Sequence, residues 1–94
     1  MLELRVEDGG VVKLVGRLDA EESDRALATL DKLAGPLTLD CTQLEYISSA
    51  GISVIMVTWK RMTAQGSSLR MIGLTPRVRN VFGYAGLDKV LDIQ

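Results

Sequence analysis

Leu2, Leu4 and Val6 alternate with Glu3, Arg5 and Glu7, the period of two that marks a strand with one buried face. Asp8-Gly9-Gly10 follows with turn chemistry, since glycine accepts positive φ without steric cost, and Val11 to Val15 reads as a second strand closing a hairpin. From Ala20 the period changes to that of a helix. Leu27, Leu30 and Leu33 recur at helical spacing with Ala26 and Ala34 beside them, and Glu21, Glu22 and Asp24 fill a first turn where carboxylates complement the helix dipole. Gly35 is expected to cap this helix after Ala34, and Pro36 to keep it from resuming. Leu37 to Cys41 reads as a third strand and Thr42 to Ile47 as a bend. A second helix is predicted from Ser49 to Gln65, with Ile52, Ile55, Met56, Trp59 and Met62 facing inward and Val54 and Val57 outward beside Thr58 and Lys60. Gly66 ends it. Ser68 to Ile72 is a fourth strand, and Thr75 caps a short helix whose first helical residue is Pro76 and whose inner face is Val78, Val81 and Phe82. Val90 to Ile93 predicts a short edge strand.

Strands that alternate with helices imply right-handed crossovers and a parallel sheet, to which the opening hairpin adds one antiparallel member. The expectation is a single α/β domain over residues 1–94, with a mixed, mostly parallel sheet of four to five strands and three to four helices. No internal repeat or low-complexity linker interrupts it.

Composition narrows the chemistry. Ninety-four residues, 47% apolar and only 4% aromatic, make a core of Leu, Val, Ile, Ala and Met. Eleven Lys and Arg against twelve Asp and Glu, with no basic run, disfavour a nucleic-acid partner. The longest uncharged stretch, the fourteen residues from Tyr46 to Trp59, includes three serines and a threonine and is too short to cross a bilayer. No basic segment with an apolar run follows Met1, so neither signal peptide nor membrane helix is expected, and the cytoplasm is the default location. With one cysteine, Cys41, and no histidine, the chain offers no internal disulfide, no thiol-rich or His-built metal site and no Ser-His or Cys-His pair. Cys41, among Leu37, Leu39 and Leu44, reads as a small buried hydrophobe. No cofactor is expected.

The segment with the most to say is Asp40-Cys-Thr-Gln-Leu-Glu-Tyr-Ile-Ser-Ser-Ala-Gly-Ile52, which sets two serines and a glycine at the start of the longest helix. A purely structural role suits them: Ser48 or Ser49 can be the N-cap, and Gly51 can permit close packing. The same geometry also suits a switch. A serine at a helix N-terminus beyond a strand's carboxyl end is exposed, and a phosphate there meets unpaired N–H groups and a favourable dipole. Phosphorylation would leave the helix intact while adding about two negative charges to an apolar, hydroxyl-lined patch, which disrupts a protein interface.

Three pieces in this order resemble the STAS domain of bacterial anti-sigma-factor antagonists: Gly16-Arg17-Leu18-Asp19 after the second strand, Leu39-Asp40 in the third, and Ile47-Ser48-Ser49-Ala50-Gly51-Ile52. The resemblance covers nearly the whole chain. It implies that Ser49 is the phosphoacceptor, with Ser48 as the flanking alternative, and that Asp19, Ala50, Gly51 and Ile52 belong to the partner-binding surface. It further implies an anti-sigma factor with serine kinase activity and a PP2C-type phosphatase as partners. A monomer or weak dimer is expected, with no nucleic acid or membrane among its partners. One departure stands out: Ser48 occupies the position where the family carries an acidic residue. Asp19 also suits the N-cap of the first helix, and Arg77 and Arg79 read as a solvated helix face.

Two other readings compete. One is a constitutive STAS scaffold, a subunit of a lipid-transport ABC system or of a sensory complex, in which Ser49 is never modified. The other makes Ser49 a nucleophile, but the chain lacks the Gly-X-Ser-X-Gly elbow, a histidine base and the Gly-X-X-X-X-Gly-Lys phosphate loop. Binding, not catalysis, is therefore the expected activity.

Overall fold

A computed structural model describes all residues, Met1–Gln94. The chain runs β1 (Leu2–Glu7), β2 (Val11–Leu18), α1 (Ala20–Asp31), β3 (Leu37–Ile47), α2 (Ser49–Ala64), β4 (Leu69–Ile72), α3 (Pro76–Tyr84), a 3₁₀ turn (Leu87–Lys89) and β5 (Asp92–Ile93). The five strands lie side by side in chain order, β1 antiparallel to β2 and all later neighbours parallel. This is the mixed α/β sheet that the alternation of periods predicts.

Because each crossover from β2 to β5 steps the same way across the sheet, right-handed connections place all three helices on one face. That face is the core. Val12 and Leu14 of β2, Leu37, Leu39 and Cys41 of β3, and Leu69 and Met71 of β4 are buried beneath Leu30, Ile55, Met62, Val78 and Phe82 of the helices. The opposite face carries no helix and is laced with charge instead: Arg5 pairs with Glu3, Lys13 with Glu7 at 3.9 Å, and Arg70 with Asp92 at 3.3 Å. On the same face Asp40 accepts from the Thr42 hydroxyl at 2.7 Å and the Thr42 N–H at 3.0 Å, which hold its carboxyl below the usual range.

Three sequence expectations change. Thr42 to Ile47 is no bend; it continues β3 and pairs with β2 as far as Leu18↔Ile47. Two register shifts each insert one extra residue into β3, so its buried positions pass from Leu39 and Cys41 to Leu44 and Ile47, and a spacing of three hides the strand period. The first helix ends at Asp31, and Gly35 is not its cap. The Lys32 and Leu33 amides close tight bonds onto Thr29 and Leu30, and the Arg61 guanidinium of α2 donates to the Leu30 and Leu33 carbonyls at 2.6 and 3.0 Å. A cation from the neighbouring helix thus supplies the α1 C-terminus, which has no basic residue in its own last turn. Lastly, Val54 and Thr58 are buried, while Ile52, Met56 and Trp59 are half-buried and Val57 is exposed. α2 packs on α1 as well as on the sheet, so its buried arc turns toward Gly51, Val54, Ile55, Thr58 and Met62. Gly66, at φ 72°, ends α2 as expected, and the Ser67 N–H bonds the Met62 carbonyl at 2.8 Å.

Candidate functional site

β2 and β3 are parallel neighbours, so their carboxyl ends lie together, and each leads within one residue into a helix. Asp19 and Ser48 are those linking residues. Asp19 is the N-cap of α1, its carboxylate accepting the Glu22 N–H at 3.2 Å. Ser48 is the N-cap of α2, its Oγ accepting the Gly51 N–H at 3.1 Å. The Leu18 carbonyl ties the two turns together by accepting the Ser48 N–H at 3.0 Å. Two helix N-termini therefore open side by side at one end of the sheet, where strand-end loops of α/β folds carry their sites.

The sequence left open which serine caps the helix. Ser48, half-buried with extended backbone, does so, and Ser49 becomes the first helical residue with its side chain exposed. The serine in the family's acidic position thus performs what an Asp would: Asp and Ser are comparable N-caps because each presents an oxygen to an orphan N–H. Gly51 is buried. A Cβ on it would stand 2.5 Å from the Leu18 carbonyl oxygen and 2.8 Å from side-chain carbons of Leu18 and Ile47, so only glycine lets the first turn of α2 settle onto the strand ends. Ala50 and Ile52 flank it, both half-buried. The structure brings Asp19, Ser48, Ser49, Ala50, Gly51 and Ile52 into one neighbourhood.

Two features there carried no usable sequence signal. The Arg17 guanidinium stacks 4.2 Å from the centre of the Tyr46 ring, a cation–π pair made by the register Arg17↔Tyr46 that the second β3 bulge creates. An open groove of about 280 Å³ also runs between α1 and α2. Leu27 of α1 and Ala50, Val54 and Val57 of α2 give it apolar walls. Ser23, Asp24 and Ser53 complete the lining. Both groove hydroxyls are engaged one turn back, Ser23 donating to the Asp19 carbonyl at 2.7 Å and Ser53 to the Ser49 carbonyl at 3.2 Å.

Burial, with a smaller push from Asp40, raises the Cys41 thiol to about 12. No three His, Cys, Asp or Glu residues gather as metal ligands, and no helix is long and apolar enough to cross a membrane.

Known proteins share this fold. An anti-sigma factor antagonist from Mycobacterium paratuberculosis superposes with a TM-score of 0.87 at 20% identity, over 99% of this chain and 85% of its own. The Bacillus cell fate determinant SpoIIAA matches over 100% of this chain in two forms. The unphosphorylated form gives a TM-score of 0.73 at 14% identity over 87% of its length, and the phosphorylated form 0.69 at 18% over 91%. Among sequence relatives, a Bordetella bronchiseptica protein provisionally named anti-sigma factor antagonist BtrV is 32% identical over 81 residues, 85% of this chain and 70% of that protein. The anti-sigma-B factor antagonist of Bacillus subtilis is 27% identical over 85 residues, 87% of this chain and 78% of its own length. The family model described as "Mlab, STAS domain" matches residues 3–92, which takes in every strand and helix around the paired N-termini, and the chain belongs to the STAS domain family.

Proposed function

We propose that this domain is an anti-sigma-factor antagonist whose binding is switched at Ser49. In the unphosphorylated form it binds an anti-sigma factor that is also a serine kinase and frees the sigma factor. Phosphorylation of Ser49 ends the complex, and a PP2C-type phosphatase restores it.

The observation that carries this reading is the division of labour between the two serines. Ser48 supplies the cap of α2, so Ser49 is exposed and free of any capping duty. A phosphate on Ser49 meets the unpaired N–H groups and positive dipole end of the first turn, which keeps the helix folded. Seen by a partner, the same phosphate is a dianion beside Ala50 and Ile52 that must lose its water before the surfaces close. The modification therefore acts on the interface and leaves the fold alone. The names of the Bordetella and Bacillus relatives support the antagonist role, and this chain superposes on both the unphosphorylated and the phosphorylated form of SpoIIAA.

The family model carries a different name, Mlab, and it supports a second reading: a constitutive STAS subunit that uses the same surface without modification. Intact-mass measurement of protein from its native host, with mapping of the peptide covering residues 40–60, separates the two. The expected result is one phosphate on Ser49, absent in Ser49→Ala, with Ser49→Asp failing to bind the kinase. Protein that stays unmodified when supplied with ATP and the kinase encoded beside it would sink the switch in favour of the constitutive subunit.

A further inference from the structure

The groove between α1 and α2 starts where the proposed switch ends, since Ala50 follows Ser49 directly and lines its wall. Its volume of about 280 Å³ falls just below the roughly 300–1,000 Å³ of small-molecule sites, and it is open, so it suits a single side chain more than a bound metabolite. Its polar lining is largely self-satisfied. Ser23 and Ser53 hold their hydroxyls on backbone carbonyls one turn back, which leaves Leu27, Val54 and Val57 to decide what enters. Val57 is 46% exposed, a β-branched apolar side chain on the wall of a concave surface that nothing in the domain covers.

Charge narrows the occupant. Asp24 is the one acidic residue of the lining, and it forms no ion pair within the chain. Arg25, its neighbour in sequence, is held by Glu22 and the Leu2 carbonyl. Lys32 and Lys60 form no ion pair with it either. A docking protein that brings an apolar side chain with a basic residue beside it would fill the groove and neutralise its wall together.

We infer that this groove receives the anchor of the partner protein: one branched or aromatic apolar side chain seated between Leu27 and Val57, with an adjacent Arg or Lys on Asp24. The inference rests on the antagonist reading and deepens it, because it places the anchor next to the residue whose modification ends binding. A dianion on Ser49 then stands at the mouth of the groove, where the anchor must seat in a dry environment. Buried apolar anchors in preformed pockets carry most of the affinity of such interfaces, and rim charges tune rate and salt dependence.

The test measures binding of the purified anti-sigma kinase from the same host to the whole domain by titration calorimetry, at low and high salt. Val57→Lys places a charge in the groove from an exposed position, and its thermal melt confirms folding. It should weaken binding by at least about 30-fold, the range of an interface hot spot. Asp24→Asn should weaken binding by roughly 5- to 10-fold at low salt and leave little difference at high salt, the mark of a rim ion pair. Glu45→Lys, on the exposed side of β3, should change neither. If wild type binds the kinase and folded Val57→Lys binds as tightly, the groove is not the anchor site and the antagonist reading stands. If wild type does not bind the kinase at all, the antagonist reading fails and takes this inference with it. A domain that dimerises on size-exclusion with light scattering, and that Val57→Lys returns to monomer, would overturn it by assigning the groove to a second copy.

Discussion

Gly51→Ala is the sharpest perturbation of the site, because two effects of opposite sign meet at one carbon. Gly51 has ordinary helical backbone in α2, so alanine gains helix propensity, worth about 1 kcal/mol. Against this, the new Cβ would lie 2.5 Å from the Leu18 carbonyl oxygen and 2.8 Å from Leu18 Cγ and Ile47 Cγ1. Overpacking costs roughly 1–3 kcal/mol, and the upper end applies here because the nearest obstruction is backbone, which cannot rotate away. The net is about 2 kcal/mol of destabilisation, which in a domain this small lowers the melting temperature by roughly 8–16 °C. Gly83→Ala in α3 is the matched control, since its Cβ would have nothing closer than Asp88 Oδ2 at 4.0 Å. It should raise the melting temperature slightly through propensity alone. Thermal unfolding followed by circular dichroism at 222 nm reads both. A Gly51→Ala protein that melts at or above the wild-type temperature would refute the close-packing account of this glycine and make its place in the motif a matter of partner contact alone.

Ser48→Ala removes the N-cap of α2 and should cost about 1 kcal/mol in urea unfolding, whereas Ser49→Ala should leave stability within a few tenths of wild type; equal losses would contradict the division of labour. Arg61→Ala removes the side-chain donors to the Leu30 and Leu33 carbonyls, leaving Leu30 its backbone bond from the Leu33 amide, together with the 3.5 Å ion pair to Asp31, for a loss of about 1–3 kcal/mol, and Arg61→Lys should recover only part, lacking the planar fork that reaches both carbonyls. Cys41, with its thiol raised to about 12 from an ordinary 9.0, should react with Ellman's reagent only after unfolding. The sign of the linked pH effect follows. A raised folded pKa leaves the contribution of Cys41 whole below pH 9, and stability falls between pH 9 and 12 as the unfolded thiol ionises first, a decline that Cys41→Ala should abolish.

Periodicity and turn chemistry determined the order and type of the elements. Alternation marked β1, helical spacing and first-turn carboxylates marked α1, and Gly66, Thr75 and Pro76 marked an end, a cap and a start, because each rests on interactions within a few residues. The candidate site was legible for a related reason. Asp19 and Ser48–Ser49 each follow a strand directly, and two strands joined by a right-handed crossover bring their ends together. What depends on a distant neighbour was invisible in the chain. The residues from Thr42 to Ile47 continue β3 only because β2 extends beside them, and the bulges that accommodate the pairing erase the period of two. Val54 and Thr58 are buried because α1 lies against that side of α2, which an isolated helical pattern cannot indicate. Arg61 ends α1 from thirty-one residues beyond Leu30, and no local rule connects them. Which serine caps the helix was decided by where Ile47 leaves the sheet: it sets Ser48 in extended backbone against Leu18 and turns Ser49 outward as the first residue of the helix. Local sequence determined what each segment is, and tertiary packing decided which faces those segments bury and which hydroxyl is left to act.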